Sequence, residues 1–156
     1  MLISQLPHND QLFLGATHYI RVTHEDITEA AADTDQTLSI AGVAAGEAFR
    51  VVNYRLVQAF KDTADGAFND VQFKFGDDIP DDDRFFTATQ VNAGGTPVLY
   101  KAGALSDPYI YTGDAALQLL VENMATPGGK SLSSLDEGIA LFFVQKINLN
   151  DYGDYK

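Results

Sequence analysis

Val71, Phe73 and Phe75 alternate with Gln72 and Lys74. Alternation of period two marks a strand with one buried face and one wet face. Upstream, EAFRVVNYRLVQAF spans residues 47–60, where Val51, Val52, Tyr54, Leu56 and Val57 are interrupted by Asn53, Arg55 and Gln58. Branched and aromatic residues of this kind suit a pleated, half-buried surface. Between the two runs Asp62, Asp65 and Gly66 are turn formers, able to take positive φ or to bond their own backbone. The stretch predicts a long antiparallel pair that buries one face against a second layer.

The same pattern recurs along the chain. THYIRVT, residues 17–23, predicts a strand with His18, Ile20 and Val22 on one face. Residues 24–35 read as a loop with a helical turn near Glu29 to Ala32, and a strand resumes over Gln36 to Ile40 with Leu38 and Ile40 inward. Asp82 or Asp83 is placed to cap a helical turn over Arg84 to Gln90. Asn92-Ala93-Gly94-Gly95 is a turn, Pro97 to Lys101 a short strand, and residues 103–113 a loop carrying Tyr109 and Tyr111. AALQLLVEN, residues 115–123, has helical propensity. The alternation of Leu117, Leu119 and Val121 between turn residues makes it a strand.

GIALFFVQKINL, residues 138–149, is the most apolar run. Ile139, Leu141, Phe143, Ile147 and Leu149 share one face, and Phe142 and Val144 load the other. A strand apolar on both faces is central, or covered by another chain. At the start, Leu2, Ile3, Leu6, Leu12, Phe13 and Leu14 are apolar, while Pro7 disfavours a helix. Residues 1–16 therefore read as an extended arm, 17–150 as the folded domain and 151–156 as a polar tail. The fold class is all-β: a single-domain antiparallel β-sandwich, jelly-roll-like, with short helical turns in loops.

Charge removes several functions. The chain has 156 residues, no cysteine, and a net charge of −12 with only ten Lys and Arg. Thiolate metal sites, disulfides and thiol nucleophiles are out. A phosphate-neutralising groove needs clustered basic residues, so neither nucleic acid nor an anionic membrane is an expected partner. No apolar run approaches the roughly 20 residues that span a bilayer, and MLISQLPHND lacks the basic start of a signal peptide.

Chemistry finds little purchase. His18 and His24 lie roughly 20 Å apart along an extended strand, too far to share a metal. Gly129-Lys130-Ser131 lacks the earlier glycine of a phosphate loop, whose place Met124 holds. No Gly-x-Ser-x-Gly elbow is present, and an enzyme is not expected. Asp77, Asp78, Asp81, Asp82 and Asp83 crowd one turn. Calcium takes several carboxylate oxygens, yet this spacing is not that of an EF-hand loop. A solvated, capping turn is the preferred reading and calcium the competing one, so no cofactor is expected.

THYIRVTHEDITEAAADTDQTLSI, FKDTADGAFNDVQFKFGDD and DRFFTATQVNAGGTPVLYKAG, in that order, resemble small head decoration, or cement, proteins of tailed bacteriophages. The resemblance runs from about Thr17 to Ile147. It implies a β-rich domain on the outer surface of the virion shell, clustered in threes, bound where major capsid protein subunits meet. Leu12, Phe13 and Leu14 in the arm, with Phe142 on the outer face of the last strand, are the expected capsid or intersubunit contacts. Two rivals stand beside it. One is a phage tail or fibre component. The other is a carbohydrate-binding module using Tyr109, Tyr111, Tyr152 and Tyr155 as stacking platforms.

Overall fold

The predicted strands form, and they divide between two antiparallel sheets that face each other as a β-sandwich. The computed structural model describes residues 2–64, 68, 70–101, 106–125 and 128–152. In chain order the strands are β1 (Leu2–Gln5), β2 (His18–Thr23), β3 (Gln36–Val43), β4 (Glu47–Lys61) and β5 (Val71–Asp77). They continue with β6 (Asp81–Gln90), β7 (Tyr100–Lys101), β8 (Tyr109–Ile110), β9 (Ala115–Asn123) and β10 (Glu137–Asn148). One sheet has the order β1-β2-β10-β4-β7, with β8 also on β4; the other has the order β3-β9-β5-β6.

The long pair expected of β4 and β5 does not exist. β4 pairs with β10 over its whole length, while β5 sits between β9 and β6 in the opposite sheet. Period-two alternation fixes which side chains face inward, but not which strand lies alongside. Asn92, wholly buried, ties down the crossing between the layers: its side chain donates to the Phe68 carbonyl at 2.6 Å and accepts from the Val71 amide at 2.9 Å. The Asp65-Gly66 turn lies outside the described residues.

Residues 84–90 are strand, not a helical turn. Phe85 and Phe86 are both buried, because the pairing of β6 with β5 slips twice and brings neighbouring side chains inward. Gly76 stands at that slip, where any Cβ would collide with the Asp81 carbonyl. The single helical turn of the 24–35 loop is a 3-10 turn at His24–Asp26, earlier than expected. There the Asp26 carboxylate accepts from both the amide and the hydroxyl of Thr23.

The arm is not extended throughout. β1 pairs with β2, and α1 (His8–Leu14) follows at once. Pro7 precedes the first helical residue, where no amide donor is lost, and its carbonyl accepts from Gln11 at 3.0 Å. Gly15, at φ 65°, ends the helix in the left-handed conformation.

Between the sheets lies an aromatic core. Phe142 has no exposed surface, and its ring centroid lies 5.2 Å from Tyr54, 5.6 Å from Phe75 and 5.1 Å from Phe86. The expected placement of Phe142 on an outer face is therefore wrong: Ala140, Phe142 and Val144 point inward. Leu141 and Phe143, on the other parity, point out. β10 is flanked on both sides, by β2 and β4, as its doubly apolar sequence predicted.

Candidate functional site

Directly opposed residues in an antiparallel pair share a face, so register reads out the outer surface of the larger sheet. Leu141 stands opposite Arg21 on one side and Arg55 on the other, and Arg55 stands opposite Tyr100. Phe143 stands opposite Tyr19 and Asn53. Asn53, Arg55, Val57, Tyr100, Leu141 and Phe143 line a groove of about 300 Å³. Val57 is 50% exposed, Leu99 62% and Tyr100 63%. These are not scattered singles but one apolar strip, a form of exposure that marks interaction surfaces.

The charge around the strip is opposite to that of the chain. The larger sheet carries six of the ten basic residues and only two carboxylates, Glu47 and Glu137; Lys101 turns inward to Thr89 and the Phe86 ring, and Arg21 and Arg55 flank the strip itself. Both carboxylates sit at strand ends and are already paired, Glu47 with Lys146 at 3.4 Å and Glu137 with Lys61 at 3.0 Å. Arg50 donates to Gln145 at 2.7 Å. Arg21 and Arg55 are exposed and make no ion pair among the described residues.

The acidic turn caps no helical turn; it is tied into the fold through Asp77 and Asp78. Asp77 is buried, and its carboxylate accepts from Arg84 Nε at 2.8 Å, the Tyr111 hydroxyl at 2.8 Å and the Ile79 amide at 3.1 Å. The Arg84 guanidinium also lies 4.0 Å from the centre of the Tyr109 ring. Asp78 accepts from the Ala116 amide at 2.7 Å, and Asp82 lies 3.9 Å from Lys74. Two of the five carboxylates therefore hold the turn to β9, β6 and Tyr111, and Asp77 already has a cation in Arg84. No group of three or more His, Asp or Glu side chains among the described residues is arranged to hold a metal. His18, half-buried, titrates below the ordinary imidazole value, through burial first and then the nearby Lys146.

Of the expected contact residues, Phe142 is core, and the side chains of Leu12, Phe13 and Leu14 in α1 lie outside the described residues. The stacking platforms fare no better. Tyr111 is 1% exposed and Tyr109 is covered by Arg84, while Tyr155 and the side chain of Tyr152 lie outside the described residues. The outer strip was missed because β10 is apolar on both faces. Arg55 and Asn53 were read only as breaks in β4, not as the residues opposite Leu141 and Phe143.

Two buried phenols make an alkaline prediction. Burial raises Tyr54 above its ordinary value; burial, then the hydrogen bond donated to Asp77, raises Tyr111. In the unfolded chain both ionise near about 10, so above that pH the unfolded state sheds protons the folded state keeps. Stability is thus full below pH about 10 and falls as pH rises beyond it. Urea midpoints at rising alkaline pH should show the loss, and Tyr54→Phe should remove part of it. The Tyr54 hydroxyl has no hydrogen-bond partner among the described residues. At neutral pH the same change should therefore be neutral or stabilising by up to about 1 kcal/mol.

The chain matches no family model, no curated protein and no solved structure.

Proposed function

We propose that the chain is a structural virion protein that binds the outside of a tailed-phage capsid, at junctions between major capsid protein subunits, and stabilises the shell. The observation that carries this reading is the exposed apolar strip around Leu141, Phe143 and Tyr100 on a sheet depleted of carboxylates. A cement protein needs no reaction chemistry. It needs a stiff scaffold, an apolar footprint and enough net charge to keep free copies apart before assembly. The resemblance of residues 17–147 to decoration proteins supports the same role, with three copies clustered at each site. The work is done by mass action: a ligand that binds only the assembled shell stabilises it by RT ln(1 + [L]/Kd) per site.

The test is the copy number of the chain in purified particles, together with the heat stability of shells stripped of it and then reloaded. The expected result is a copy number comparable with that of the main shell protein and a higher disruption temperature on reloading. A handful of copies per particle would transfer the chain to the tail or a fibre. Absence from the particle would end the virion reading.

A further inference from the structure

The outer strip has a defined charge geometry. Arg21, Leu141 and Arg55 lie in one row across three adjacent strands. At about 4.8 Å per strand the two arginines flank Leu141 about 10 Å apart. Neither has an ion pair among the described residues, and Glu137, the carboxylate on the same face of β10, is held by Lys61 and Gln58.

We infer that this face docks a protein surface that presents carboxylates on either side of an apolar side chain; the inference rests on the capsid reading, under which that surface belongs to the shell. Guanidinium groups at an interface pair with carboxylates through two parallel hydrogen bonds, fixing orientation as well as adding energy. Leu141, Phe143 and Tyr100 supply the desolvated centre between them, the arrangement in which arginine and aromatic residues carry binding energy.

Other occupants fit less well. A second copy docked face to face would bring the same unpaired arginines, and its Glu137 is already held by Lys61. A nucleic acid would meet an apolar centre and few basic residues, on a chain of net charge −12 that repels a polyanion. Five aspartates lie at the β5–β6 turn of the opposite sheet.

The experiment compares the wild-type protein with Arg21→Glu/Arg55→Glu in rebinding to shells stripped of the chain, by co-sedimentation at low and high salt. Both substitutions are on exposed side chains, and circular dichroism with a melting curve checks that the variant folds. Wild type should bind and weaken as salt rises. The double variant should lose about 100-fold in affinity, roughly tenfold per reversed charge, and keep little salt dependence. Wild-type binding that the variant matches would overturn this inference and leave the capsid reading standing. Failure of the wild type to bind any shell would remove both. Sedimentation of the free proteins tests the second copy: an oligomer that the double variant turns into monomers would reassign the face to self-association. A labelled single-stranded oligonucleotide bound by wild type and released by the variant would reassign it to a polyanion. Either result overturns the proposal.

Discussion

Phe142→Ala should cost about 3–5 kcal/mol of stability, the range for removing a buried aromatic ring from a close-packed core. The ring touches Tyr54, Phe75 and Phe86, which come from both sheets, so its loss opens a void at the seam between the layers. The measurement is the urea midpoint, with the slope unchanged if the transition remains two-state. Phe143→Ala is the matched comparison. Its side chain is only half-buried on the outer face, and its removal should cost within about 1 kcal/mol while weakening docking. Equal losses at the two positions would mean that the facing of β10 is misassigned.

Asp77→Ala should cost about 3 kcal/mol or more, because it leaves a guanidinium and a phenol without their shared acceptor. The Asp77 side chain is fully buried and Arg84 is 21% exposed, so water compensates only part of the loss. Asp77→Asn keeps an acceptor for Tyr111 but removes the charge opposite Arg84, and should fall between wild type and the alanine variant. A double-mutant cycle with Tyr111→Phe should return a coupling of about 1 kcal/mol. Additive effects would show that the Tyr111 hydrogen bond to Asp77 contributes nothing to stability.

Most of the strands were legible because alternation is a local signal. Leu117, Leu119 and Val121 identified β9 against its helical propensity, and all three are buried. Pairing is not local, and there the reading failed. Nothing within residues 47–77 says that β4 takes β10 as its neighbour, and the short polar loop suggested a hairpin that is really a crossing between layers. Pro7 misled in another way: as a helix breaker it is also a good helix starter, and the difference is one position. The facing of Phe142 and Phe143 was equally hidden, since two adjacent phenylalanines offer no contrast. The decision lies on the strands alongside, where Tyr54 and Ile20 oppose Phe142 while Asn53 and Tyr19 oppose Phe143. Asp77 was seen as one of five acids. Arg84, seven residues on, was the available sign that it differs from the others.

β10 follows β2 and β4 in sequence by some 75 residues or more, yet it lies between them in the larger sheet. During synthesis those two strands have no common neighbour until residues 137–148 clear the ribosome. Closure of the sheet is therefore a late, long-range event, slow compared with hairpin formation. Leu141 and Phe143 travel on the same strand, so a chain without residues 137–148 lacks the apolar strip as well. Under the capsid reading, copies that lack β10 would be screened out of assembly without any separate checkpoint.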